Sequence, residues 1–224
     1  MGFRYLTFDC YGTLIDWKTG IEREITAAIG TAKLSGKELL DAYVDQEKGQ
    51  ESSYRKYRDV LRDTFMSLSS SLGAKASEDA ARSFAASVPR WPPFPDTTDF
   101  LREMGSRGYK RYILSNVDND LLEETIERNR LEVDGFVTAE EVGSYKPLPG
   151  HWLRFMQKSG AGKADVLHVA QSVYHDVIPT GALGIASAWV NRYREPMPLG
   201  AYPLYVSDSL QHLAEVLEGT PSKA

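Results

Sequence analysis

The sequence predicts an α/β protein, a doubly wound parallel sheet with an inserted all-helical segment. Three observations carry this. A short apolar run at residues 3–8 meets an acid and a Gly-containing turn at once. Residues 21–87 then show only helix-spaced apolar positions. From residue 97 onward, helical segments alternate with short apolar runs. Such alternation implies crossover helices, hence parallel strands covered on both faces.

Residues 3–8 read as a buried strand, because apart from Arg4 they are apolar, aromatic or β-branched and hold no breaker. Asp9-Cys10-Tyr11-Gly12-Thr13 turns the chain. Helical spacing follows in Ile21, Ile25, Ala28 and Ile29, then Leu39, Leu40, Tyr43, Val44 and Glu47, then Tyr54, Tyr57, Val60, Leu61 and Phe65. Breaks at Ser35-Gly36 and Gly73 divide this stretch into three to four helices. Residues 89–96 include Pro89, Pro92, Pro93 and Pro95, so they cannot form a helix interior and read as a stiff return linker.

The alternation resumes with a helix at 97–107 and a strand at 110–114 ending in Ser115-Asn116. A helix at 118–129 follows, with Asp118 or Asn119 as N-cap. A short strand at 135–138, a turn at 139–145 and a helix at 149–159 come next. Residues 166–170 form a strand leading into Gln171-Ser172, and 177–183 a helix. Strands at 185–190 and 205–206 precede a closing helix at 209–217, capped by Ser207 or Asp208.

Composition narrows the function classes. The 224 residues carry 26 Lys+Arg against 31 Asp+Glu, a formal net charge of −5. That mildly acidic balance disfavours a generic nucleic-acid binder. Cys10 is the only cysteine, so no disulfide forms within the chain. The N-terminal apolar run is too short for a signal peptide, and no stretch approaches the ~20 apolar residues that span a bilayer. The expectation is a cytoplasmic protein with a small-molecule substrate and neither nucleic acid nor membrane as partner.

In a parallel sheet four polar groups converge at the carboxyl edge, where open α/β sheets place ligands. They are Asp9 with Thr13, Ser115 with Asn116, Lys146 before Pro147, and Gln171-Ser172 with Asp176. A carboxylate such as Asp9 can attack carbon or phosphorus and form a covalent intermediate. A nearby cation such as Lys146 would hold it ionised. Ser115 and Asn116 offer a hydroxyl and an amide to an anion or leaving group. Asp176 can ligate a cation or orient Lys146 or Asn116. Helix capping is the competing use of Ser115, Asn116 and Asp176, and a surface position that of Lys146.

The ordered motifs resemble the haloacid dehalogenase superfamily. Phe8-Asp9-Cys10-Tyr11-Gly12-Thr13-Leu14 resembles its first motif, Ser115-Asn116 the second and Lys146-Pro147 the third. Residues 171–176 stand where its acidic fourth motif belongs. The resemblance implies a Rossmann-like core at residues 1–15 and 92–224 and a helical cap at 16–91 placed over the strand ends. The D-x-Y-G-T form resembles the (S)-2-haloacid dehalogenases, whereas the superfamily's phosphatases carry a second aspartate at the position of Tyr11. By that resemblance Asp9 displaces halide from carbon 2, and water then hydrolyses the ester. Thr13, Ser115, Asn116, Lys146 and Asp176 complete the catalytic set. Tyr11, Trp17, Tyr43, Arg55, Gln171, Ser172 and His175 are the candidate substrate-binding residues.

Two features depart from that pattern. Residues 39–50, where the family's substrate-binding arginine stands, contain no arginine; Arg55 or Arg58 could replace it if their helix turns them inward. Gln171 replaces one acid of the phosphatase fourth motif, so no cofactor is expected; a weak Mg²⁺ site, if any, would use Asp9 and Asp176. Three readings follow: a metal-independent hydrolase of a small 2-halocarboxylate, a Mg²⁺-dependent phosphatase of a small phosphoester, and a non-catalytic binding protein. A homodimer is an expectation from the resemblance alone.

Overall fold

A computed structural model of the chain describes residues 2–30, 34–48, 50 and 53–218. The remaining residues of the expected core and cap ranges lie outside the described residues. In chain order the elements are β1 (Tyr5–Phe8), α1 (Trp17–Ile29), α2 (Gly36–Lys48), α3 (Tyr57–Ser71), α4 (Glu78–Ala85), α5 (Thr97–Ser106), β2 (Lys110–Ser115) and α6 (Asn119–Arg128). Then come β3 (Gly135–Thr138), α7 (Ala139–Val142), α8 (Gly150–Ser159), β4 (Val166–Ala170), α9 (Ile178–Leu183), β5 (Ala186–Val190), β6 (Tyr205–Ser207) and α10 (Leu210–Val216).

The strands form one sheet in the order β3-β2-β1-β4-β5-β6, every pair parallel. β1 and β4 are buried along their whole length, as a central parallel strand covered on both faces must be. The chain leaves β1 for β2 and β3 on one side, then crosses to β4, β5 and β6 on the other. The order therefore reverses at β1, and the crevice at its carboxyl end is the ligand position of this topology. Asp9 is the first residue past that end.

Helices α1–α4 occupy the long excursion between β1 and β2. Its two ends run side by side: Asp16 N–H donates to Pro92 O at 2.8 Å, and Phe94 N–H donates to Leu14 O at 3.0 Å. Trp91 is buried against α1, and Gly20 makes that approach feasible, because a Cβ there would meet the indole at 2.3 Å. One continuous apolar cluster runs from Phe8, Ile113 and Val169 of the sheet through Leu14 and Trp91 to Ile21, Phe65 and Phe84 of the helical layer. Each such side chain contributes about 1.5–3 kcal/mol by leaving water, so the layer is held down over the strand ends.

Several local expectations change. β1 starts at Tyr5, where its partners β2 and β4 begin at Lys110 and Val166. Pro89 sits in a 3₁₀ turn, Val88–Arg90, near its start where no N–H is needed. Asp118 stands at the N-cap position of α6 but makes no cap bond there; its carboxylate accepts N–H bonds from Tyr57 and Arg58 at the start of α3. The cap of α10 is Ser209, which accepts from His212 N–H, rather than Ser207 or Asp208. The helix expected from residue 177 opens earlier with a π turn, Val173–Val177, whose N-cap is Ser172. No helix among the described residues is long and apolar enough to cross a membrane.

Candidate active site

The turn after β1 presents Asp9 and Thr13 together. Gly12 takes φ +107°, a conformation that side chains other than hydrogen rarely tolerate, and this bends residues 9–13 back on themselves. The Thr13 hydroxyl donates to Asp9 Oδ2 at 2.8 Å and accepts from Gln171 N–H at 2.9 Å. The loop after β1 is thereby tied to the loop after β4.

Lys146 enters from the loop before α8 and is only 2% exposed. Its ammonium donates to Asp9 Oδ1 at 2.9 Å, Asp176 Oδ1 at 2.7 Å and Leu114 O at 2.9 Å. An ammonium has three protons, so these acceptors use them all. Asp176 lies inside the π turn, not at a helix cap, and also accepts from His168 Nε2 at 2.9 Å. Thr7 lies 2.8 Å from the other ring nitrogen of His168. A buried polar chain thus runs from Thr7 through His168, Asp176 and Lys146 to Asp9 and Thr13.

Burial alone would discharge Lys146, but the Asp176 and Asp9 carboxylates outweigh it and hold the lysine above its usual range. Burial also opposes charge on Asp176, yet Lys146 and His168 keep its carboxyl far below the ordinary range. Asp9 moves the other way. Burial raises it, the Asp176 charge adds to this, and Lys146 and Thr13 offset only part. Two carboxylates share one ammonium, and Asp176 holds the larger share.

Asn116 does not face a ligand with its amide. Its Oδ1 accepts Lys146 N–H at 2.7 Å and its Nδ2 donates to Lys146 O at 3.0 Å, so it clamps the lysine's backbone. Ser115 lines the cavity, and its carbonyl accepts from His151 Nε2 at 3.0 Å. Burial and the Lys146 charge push His151 down to about 3. Tyr11 lines the cavity with its ring while its hydroxyl pairs with Thr125 at 2.9 Å, and burial pushes its pKa well up. It offers no ready proton to a leaving group. Cys10 beside it is fully buried in the core.

These groups line a cavity of about 270 Å³ between the strand ends and the helical layer. Asp9, Tyr11, Trp17, Tyr43, Ser115, Asn116, Lys146, Gln171, Ser172, His175 and Asp176 all reach its wall, whereas Thr13 stands behind Asp9. His175 sits 3.1 Å from the Ser172 hydroxyl through Nδ1, and burial lowers its pKa, leaving a neutral imidazole. Arg55 is absent from the wall. Its guanidinium donates to Asp63 Oδ2 at 2.5 Å and to Asp59 O at 2.6 Å. Arg58 is likewise turned to Asp118 and Asp120.

The sequence reading assigned no role to Glu47, Tyr57, Trp91 or His168. Glu47 lines the cavity from α2, and its Oε1 accepts from Tyr43 OH at 3.1 Å and Tyr57 OH at 2.9 Å. The four-residue spacing of Tyr43 and Glu47 was the available signal, since it places both on one helix face. Nothing local marked Tyr57 as their partner.

As potential metal donors, Asp9 and Asp176 are the acids at the strand ends, and the Lys146 ammonium already bonds one oxygen of each. Asp176 Oδ2 is buried without a partner. Among the described residues no group of three or more His, Cys, Asp or Glu could hold a metal ion. A hard dication wants several charged or carbonyl oxygens, and Gln171 and Ser172 are neutral here.

The family model described as haloacid dehalogenase-like hydrolase matches residues 3–178. The chain is 27% identical to an (S)-2-haloacid dehalogenase of Pseudomonas sp. (strain YL), covering 98% of this chain and 96% of that one. It is 24% identical to haloacetate dehalogenase H-2 of Moraxella sp. (strain B), covering 94% and 97%. Its fold matches an L-2-haloacid dehalogenase from Xanthobacter autotrophicus with chloropropionic acid covalently bound, at TM-score 0.85 and 21% identity over 97% of this chain and 99% of that one. With the matching model spanning most of its length, the chain belongs to the haloacid dehalogenase-like hydrolase family.

Proposed function

We propose that this hydrolase cleaves a carbon–halogen bond at carbon 2 of a small acyl compound, without a metal, with Asp9 as nucleophile. The carrying observation is the Lys146 ammonium bonded at once to Asp9 and Asp176. It keeps an unusually basic carboxylate ionised and lies against the acids that a dication would have to claim. A carboxylate oxygen of Asp9 attacks carbon 2, the carbon–halogen bond breaks, and halide departs with the electron pair. Halide leaves without a proton, which agrees with Tyr11 having its hydroxyl tied to Thr125. Ser115, at the cavity wall, offers a hydroxyl to the developing charge.

Water then attacks the Asp9 ester carbonyl. Neutral His175, at the cavity wall, takes the water proton as the water oxygen bonds to the ester carbonyl carbon. The bond from that carbon to the substrate oxygen then breaks, the substrate oxygen takes the proton from His175 and leaves as the 2-hydroxy product, and the regenerated Asp9 carboxyl gives its proton to solvent. Asn116 and Thr13 act through Lys146 and Asp9, as positioning residues. Residues 16–91 form the cap in this reading. The names of the relatives support the reaction class and make 2-halocarboxylates the first substrates to try. The protein acts on a small molecule, needs no cofactor and works in the cytoplasm.

The test is halide release from (S)-2-chloropropionate, (S)-2-chloropropionamide and chloroacetate with EDTA, beside p-nitrophenyl phosphate hydrolysis with Mg²⁺. Halide release that survives EDTA and falls on the order of 10⁴-fold in Asp9→Asn is the expected result. Phosphate release that requires Mg²⁺, with no halide released, would overturn it.

A further inference from the structure

The substrate's acyl group is the open question, and the charge of the cavity bears on it. Of the lysines and arginines among the described residues, Lys146 alone lines the cavity, and its three protons are taken by Asp9, Asp176 and Leu114 O. Asp9, Asp176 and Lys146 together carry one net negative charge. Every arginine of the sequence lies within the described residues, and none lines the wall. A substrate carboxylate placed for attack by Asp9 would face like charge with no free cation to meet it.

The helical layer presents an acid instead. Glu47 stands among Ile21, Tyr43, Val44, Tyr57 and Trp91. Both tyrosine hydroxyls donate to its Oε1, and no partner of its Oε2 is found among the described residues. Burial in this aromatic wall raises its pKa toward the protonated form. Its Oε2 can accept an N–H from a neutral amide, a donor that a substrate carboxylate lacks. Glu47 also borders an adjoining cavity of about 590 Å³, which shares Val44, Lys146 and His175 and is walled by Tyr54, Tyr145, Leu148 and Tyr174. Lys48, Ser53 and Ser144 also line that second space, so it offers both aromatic and polar walls to a substituent.

We infer that Glu47 is the specificity-determining residue and selects an uncharged 2-halo acyl compound of the amide class over a 2-halocarboxylate, with any substituent on the acyl group lying in the adjoining cavity. The inference rests on the carbon–halogen reading of the same site. It adds that the site recognises a neutral acyl group by an N–H donated to Glu47. A site built for a hydrogen bond from the substrate discriminates strongly, because a mismatched ligand leaves a buried polar group unpaired.

The experiment compares halide release from (S)-2-chloropropionamide and (S)-2-chloropropionate, which differ in charge and share the reacting carbon. Calorimetric binding of lactamide and lactate to the Asp9→Asn protein accompanies it. The expected result is a kcat/KM at least about 10-fold higher for the amide. Glu47→Leu is expected to erase that preference, mainly through KM. Equal or better turnover of the carboxylate would overturn the role of Glu47 and leave the carbon–halogen reading standing. No halide from either compound, with lactamide bound tighter than lactate, would uphold Glu47 and overturn that reading. No halide and no lactamide binding would overturn both.

Discussion

The carboxylate of Asp118, at the head of α6, accepts the backbone N–H of Tyr57, at the head of α3, at 2.8 Å. It also accepts from Arg58 N–H at 3.1 Å and Arg58 Nε at 3.0 Å. A residue of the sheet layer thus caps a helix of the overlying layer, two residues from Asn116 in sequence. The free N–H groups at a helix start favour such an anion. Asp118→Ala is expected to lower stability by about 2 kcal/mol, from the lost cap bonds and one of the two carboxylates that Arg58 holds. Urea unfolding measures this. A change below about 0.5 kcal/mol would show that the bond does not tie the layers.

Lys146→Met should do more than stop turnover. It leaves Asp176 and Asp9 buried without their cation, a change that costs about 3–5 kcal/mol in comparable buried pairs. The Asp9 carboxyl, already raised by burial, should rise further. Any residual halide release should then lose activity at higher pH on its acid limb than the parent does. An unshifted acid limb with parental rates would remove Lys146 from the site.

His175→Gln separates the two chemical steps. If the imidazole takes the proton from water, the variant should release about one halide per protein and then stall. Intact mass would show the acyl compound retained on Asp9 with its halogen lost. Sustained turnover at the parental rate would place the base elsewhere.

His151 makes acid sensitivity start early. Its folded pKa is about 3, against 6.5 for the free side chain. A group with a depressed folded pKa binds more protons when unfolded, so its stabilisation is present above 6.5 and lost as pH falls toward 3. The loss approaches about 1.4 kcal/mol per pH unit inside that window. His175 is shifted the same way and adds to it. Asp176 adds its own loss below about pH 4. Urea unfolding from pH 7 to pH 4 should show the slope, and His151→Gln should flatten part of it. An equal slope in the variant would show that His151 is not its source.

Residues 3–8, 110–114 and 166–170 announced strands through short stretches ending in apolar residues without breakers, and each polar group of the site follows such a stretch or stands in a nearby loop. Alternation with helices then implied parallel strands and a common carboxyl edge. That logic is local, depends on a period of a few residues, and by itself determined the α/β class, the insert and the set Asp9, Ser115, Lys146 and Asp176. What those residues do to one another was not local. The Lys146–Asp9 bond joins residues 137 apart in sequence, and Asp118 meets Tyr57 across 61. Only packing of the two layers decided that Asn116 clamps a backbone, that Arg55 pairs with Asp63 and leaves the cavity wall, and that Glu47 enters the wall in company with Tyr57. The physical reason is that hydrophobic periodicity tells which face of a helix is buried, whereas the partner on that face depends on where the other elements are docked.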